Sequence, residues 1–149
     1  MAARRFLFLA TAGAALVASA PAHAIDYLSV AQAAVLYDAP SAKAKPLFVI
    51  HRGTPVEQVV VVGGWVKVRD ARGDLAWIEK GQLSTQRMVI VRGDKAEVRA
   101  TASDTAALVF VAHGDVVLEW VGAADAGWVQ VRHADGATGF VRLGQVWGG

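Results

Sequence analysis

The sequence predicts an all-β protein built as two tandem small barrels of five strands each. Three observations carry that expectation. The segment "GWVKVRDARGDLAWIEKGQL" (64–83) returns as "GWVQVRHADGATGFVRLGQV" (127–146), with nine of twenty positions identical and no gap. Valine alternates with polar or aromatic residues in "WVKVR" and "WVQVR", the period of a half-buried strand. No stretch of residues 25–149 carries a helical stripe. The one candidate, "SVAQAAVLY", has "VRGDKAEVR" as its counterpart, and the glycine in that segment argues against a helix.

Taken in order, the elements repeat. Upstream of the matched segments the offset is 62 instead of 63, so the second copy gains one residue near "GAADA". There Phe48-Val49 answers Phe110-Val111, His51 answers His113, Glu57 answers Glu119 and Ser41 answers Ser103. Shared Val and Ala could be composition alone; shared Trp, Gly and His could not. A unit of about 60 residues written twice sets the architecture. Within each unit "VEQVVVV" is β-branched, and "RDARGD" and "RHADGA" place Gly between two strands, as a hairpin turn requires. Closure into a barrel removes the edges of so small a sheet. "STQR" (84–87) is the polar stretch between the copies, which divides the chain into 25–86 and 87–149. So short a link is expected to leave the two barrels in contact.

The first 24 residues read as an export signal. Arg4 and Arg5 begin it, an apolar run follows from Phe6 to Ala20, and Ala22-His23-Ala24 is an A-x-A cleavage site. That run falls short of the ~20 residues a membrane-spanning helix needs. An aromatic directly follows Arg5, where the twin-arginine motif keeps a spacer, so ordinary secretion is expected. Cleavage between Ala24 and Ile25 leaves 13 basic against 13 acidic residues. A neutral chain does not offer the basic surface that nucleic acid or an anionic membrane demands. The sequence has no cysteine, which excludes disulfides, thiolate catalysis and a lipid-bearing cysteine together. The expected location is periplasmic or secreted, with no membrane anchor after cleavage.

Each unit resembles a bacterial SH3 (Src homology 3-like) domain. The residues that carry the resemblance are the "LYDAPS" opening, the Gly of "HRGTPVEQV", "GGWVKVR", and the Gly-x-x-small-aromatic-aliphatic pattern of "GDLAWI" and "GATGFV". It covers residues 25–149 as a tandem pair of SH3-like barrels. It implies an attachment module of the cell envelope that recognises peptidoglycan or an envelope peptide.

Strand alternation nominates the contact residues. Val66 and Val68 share one face of their strand; Trp65, Lys67 and Arg69 share the other. In the second copy Val129 and Val131 lie opposite Trp128, Gln130 and Arg132, while Ile78 opposes Trp77 and Val141 opposes Phe140. Valines take the core, so the rings are expected on the wet face. By likeness to the proline-peptide-binding members of the larger family, Tyr37, Trp65 and Trp77 match three groove positions, and Trp128 and Phe140 match two. The remaining places hold Ala39, Glu79 and Gln82 in the first copy. A polyproline helix requires an unbroken aromatic ridge, and this one is broken. The candidate ligand-binding set is therefore Tyr37, Trp65, Arg69, Trp77, Trp128, Arg132 and Phe140, aimed at a polar peptide or sugar-peptide polymer. In a competing arrangement the loop after Asp38 folds over Trp65 and buries it. The rings would then serve a structural or assembly role, packed between barrels or on a protein partner.

No catalytic, metal or cofactor site is expected. His51 and His113 stand at equivalent strand ends beside turns, and Asp38, Asp115, Glu119 and His133 form no nucleophile–base or paired-carboxylate spacing. Zinc needs three or four convergent ligands, and none cluster. Two RGD triplets (72–74 and 92–94) are read as turns, since Gly serves the first as a hairpin residue.

Overall fold

The computed structural model describes residues 24–149. Residues 1–23, which hold most of the expected signal peptide, lie outside them. Ala24 and Ile25, the expected cleavage pair, are both exposed. The chain folds into two all-β SH3-like units. The first contains β1 (Tyr27–Val30), β2 (Ala34–Tyr37), β3 (Pro46–Ile50), β4 (Pro55–Val62), β5 (Trp65–Arg69), β6 (Leu75–Glu79) and β7 (Leu83–Ser84). The second contains β8 (Met88–Val91), β9 (Lys95–Arg99), β10 (Leu108–His113), β11 (Val117–Ala124), β12 (Trp128–Arg132), β13 (Thr138–Arg142) and β14 (Val146–Trp147).

The strand orders are β3-β2-β6-β5-β4-β1-β7 and β10-β9-β13-β12-β11-β8-β14, the same order twice. Each unit thus has seven strands where five are expected. The opening segment splits at Ala31–Ala33. Its first part, β1, pairs with β4 and β7, while its second, β2, pairs with β3 and β6. One segment thereby serves two sets of neighbours, which a count of apolar runs does not separate.

Each unit has its own core. Val30, Leu36, Val56, Val66, Val68, Ala76 and Ile78 are among the buried residues of the first. Val89, Val98, Leu118, Val129, Val131 and Val141 are among those of the second. Valines dominate because a pleated strand directs every second side chain inward, and a β-branched side chain, restricted at χ1, packs well on that surface. The β5–β6 turn shows why Gly73 is needed: its φ is +93°, and Asp70 Oδ1 accepts from the backbone N–H groups of Arg72 and Asp74 at 2.9 Å. Gly136, at φ +94°, repeats the turn in the second unit. The extra residue of the second copy lies at the β11–β12 tip. There a 3₁₀ turn, Asp125–Gly127, with Ala126 at φ +56°, replaces the tighter Gly63-Gly64 turn.

The two units touch along an apolar seam. The rings of Tyr27 and Trp147 meet edge to face, with centroids 5.1 Å apart. Gly148 packs against Pro55 and Met88, and a Cβ there would collide with both. Buried Ser29 donates from Oγ to the Gln86 carbonyl at 2.7 Å, tying β1 to the link. Burial at this seam, and next the charge of Glu57, push the Tyr27 hydroxyl above its ordinary value; Arg92 and Arg69 pull the other way.

That shift predicts a pH limit. A raised folded-state value means the folded chain holds the phenol proton more tightly than the unfolded chain. The associated stability is complete below the unfolded value, near 10, and is lost as pH rises through the folded one. Melting temperature is expected to fall above about pH 10. In Tyr27→Phe, which keeps the ring and removes the proton, the fall should be shallower in a melting series across that range.

Candidate functional site

Outward-facing residues of β2, β6 and β5 form a continuous surface on the first unit. Tyr37 is the cross-strand partner of Trp77, and Trp77 is the partner of Lys67, so the three lie in one row. Trp65 pairs with Glu79 in the adjacent row and meets Tyr37 edge to face, at 5.5 Å and 87°. Lys67 Nζ stands 5.9 Å from the centre of the Trp77 ring. All three rings are half-buried, while Glu79 is exposed. The loop after Asp38 stays folded on itself, with Asp38 Oδ1 accepting from the Lys45 N–H at 3.0 Å.

Arg69 lies one row below this cluster and its guanidinium is engaged by Glu57 at 2.9 Å. Arg132 repeats the pairing with Glu119 at 3.2 Å. These two arginines share the outer face with the rings, yet each is bound across the sheet to its own carboxylate.

The corresponding face of the second unit is closed. Trp128 points outward from the valine core as its strand period dictates, but only 5% of it is exposed. This corrects the expectation of a ring open to solvent. Its cross-strand partner Arg142 lies over the ring, with the guanidinium carbon 4.5 Å from the ring centre. Asp104, on the loop between β9 and β10, holds that guanidinium through a pair of hydrogen bonds. The covering considered for Trp65 is thus found on Trp128, and it is made by a side chain. Arg99 occupies the place of Tyr37 and is tied to the same loop through the Ala106 carbonyl at 2.8 Å and to Glu97 at 2.5 Å. Phe140 remains half-buried between its partners Arg99 and Gln130.

Two residues with this influence, Arg142 and Asp104, are absent from the candidate set read from sequence. Period two does put Arg142 on the same face as Trp128. Register and the loop contact, which pair them, need the fold. A second feature also went unread: a groove of about 450 Å³ between β10 and the β12–β13 turn, lined by Val109, Phe110, Val111, His113, His133 and Asp135. His133 Nδ1 lies 3.0 Å from Asp135, whose carboxyl is held below its usual range, chiefly by the Ala137 N–H and then by His133. Among the described residues, no group of three or more His, Asp or Glu converges as a metal site would.

A family model described as "Bacterial SH3 domain" matches residues 30–85 and, a second time, residues 92–148. The chain belongs to the bacterial SH3 domain family. Bacterial SH3 domains are cell-wall-binding modules of extracellular and envelope proteins. No curated protein matches the chain. Solved structures similar to it include NlpC2 from Trichomonas vaginalis, at 10% identity and a TM-score of 0.39, covering 85% of this chain and 49% of that one. An NlpC/P60 family protein from Bacillus cereus is similar at 17% identity and a TM-score of 0.38, covering 81% and 55%. The chain spans about half the length of these structures.

The two SH3 domains therefore differ in what their equivalent tryptophans touch, and the difference is measurable. Trp128→Ala should cost roughly 3 kcal/mol or more, because a covered ring leaves a cavity. Trp65→Ala should cost about 1–2 kcal/mol, as expected for a ring already half in water. Urea denaturation of the two variants checks the order.

Proposed function

We propose that this chain is an exported, non-enzymatic binding module of the bacterial cell envelope, and that its first SH3 domain holds peptidoglycan or an envelope peptide through Tyr37, Trp65 and Trp77. The observation that carries this reading is the contrast between the domains: three adjoining half-buried rings on the first, one ring capped by Arg142 on the second. Rings of this size, braced edge to face and left partly wet, offer large contact area at little cost in conformational freedom. The family supports a wall ligand. Glu79 and Gln82 interrupt the aromatic ridge, and this favours a polar peptide or sugar-peptide polymer over a proline-rich helix.

A binding role also fits the chemistry at hand. The described His–Asp pair, His133 with Asp135, sits on an exposed turn, and the chain has no cysteine to serve as nucleophile. A second reading, assembly with a protein partner, draws on a different observation. Strand β3 exposes Leu47, Phe48 and Val49, and β4 exposes Val59 to Val62, and apolar strand surface of this kind marks interaction sites.

Co-sedimentation with isolated cell-wall sacculi separates the readings. The mature chain is expected to pellet with sacculi, and Trp65→Ala to remain in the supernatant while still melting cooperatively at a modestly lowered temperature. A chain that ignores sacculi and self-associates or captures an envelope protein favours the assembly reading. Release of soluble fragments from purified peptidoglycan would overturn the non-enzymatic one.

A further inference from the structure

Each of the five tryptophans has an aromatic or cationic neighbour, and three of them carry a cation. Lys67 stands over Trp77, Arg87 over Trp120 at 4.3 Å and Arg142 over Trp128 at 4.5 Å, and Trp147 is filled edge-on by Tyr27. Trp65 has Tyr37 at its edge and, among the described residues, no cation over it. The cause lies in equivalent positions of the repeat. Trp65 and Trp128 correspond, and so do their cross-strand partners Glu79 and Arg142. Such partners share a face, with Cβ atoms about 5 Å apart, so either side chain can reach the neighbouring ring. In the second domain the partner is a cation. It lies on the indole, attracted by the negative face of the ring, and Asp104 supplies its counter-charge. In the first domain the partner is an exposed carboxylate, which that same face repels. Among the described residues, Glu79 takes part in no ion pair. Ala42 stands where the second domain has Asp104, and the carboxylate of the first loop, Asp38, accepts from the Lys45 N–H.

The second domain thus carries its own cation over the tryptophan, and the first carries a counter-charge beside it. We propose that Trp65 and Glu79 form a binding site for an organic ammonium group, the free amine of a wall peptide. This rests on the reading that the first domain engages the wall. An ammonium over Trp65 takes the place that the Arg142 guanidinium occupies on Trp128. Glu79 then serves it as Asp104 serves Arg142. Tyr37 braces the indole from the side. Lys67, drawn to Trp77, leaves the Trp65 ring clear.

The test uses sacculi before and after exhaustive N-acetylation, which turns ammonium groups into neutral amides and leaves the glycan unchanged. Acetylation is expected to weaken binding about tenfold, the scale of a cation–π contact joined to a carboxylate. Glu79→Gln should weaken binding to native sacculi by a similar factor and leave the acetylated value unmoved. Glu79→Arg, which gives the first domain the second domain's internal cation, should abolish the preference with the fold intact by circular dichroism. Equal binding to native and acetylated sacculi overturns the ammonium site while wall binding stands. Should neither preparation bind, the wall-binding reading falls, and the site is decided by NMR with Nα-acetyl-lysine amide as the probe. A saturable shift of the Trp65 indole N–H, absent in Glu79→Gln and absent with the Nε-acetylated probe, supports it. No shift overturns it.

Discussion

Everything on the outer face of this protein follows from how little room there is inside it. Each domain closes over a core made largely of valines: Val66, Val68, Val56 and Val30 in the first, Val129, Val131, Val89 and Val98 in the second. A strand that sends two valines inward must send the intervening residues outward. An indole has no place in a core of that calibre, so Trp65 and Trp128 are forced to the same external position. The aromatic face is therefore a consequence of core packing before it is a site.

Once outside, a large ring has to be partnered, because apolar surface left in water is costly. The two domains reach different solutions from one scaffold. The second uses a charged strap, Arg142 anchored by Asp104, together with Arg99 tied back to the same loop. The first uses other rings, Tyr37 against Trp65 and Trp77 under Lys67. A charged strap closes the surface. A ring cluster covers each member in part and leaves the group partly wet. The faces differ at the equivalent positions Tyr37/Arg99, Ala42/Asp104, Lys67/Gln130, Trp77/Phe140 and Glu79/Arg142. Divergence at these positions leaves one outer face partly open and the other closed.

The second domain meets the first through Trp147 on Tyr27, Gly148 against Pro55, and Met88 beside Gly53. A domain of about 60 residues buries only about 60% of the surface its unfolded chain exposes, less than a larger one, and is marginal alone. A shared apolar seam adds burial to both. The repeated ion pairs Arg69–Glu57 and Arg132–Glu119 lie at the same place in each sheet. They join β4 to β5 and β11 to β12 across solvent-exposed faces, where such pairs set register more than stability.

The repeat itself, the all-β class, the inward valines and the turn glycines Gly73 and Gly136 were all legible in the chain. Each of these is a local property, either periodicity along one strand or the backbone freedom of one residue. The outward direction of Trp65, Trp77, Trp128 and Phe140 was legible for the same reason. Whether an outward ring stays open was not. Trp128 is covered by a residue on the next strand and anchored by a loop carboxylate 38 positions from that residue. Cross-strand register and loop closure are non-local, and a period-two pattern carries no information about them. The split of the opening segment into β1 and β2 was hidden likewise, since its two halves differ only in the strands they pair with. The sequence by itself determined which side chains leave the core. Only the tertiary structure decided which of them a ligand can reach, because coverage depends on what the fold brings alongside.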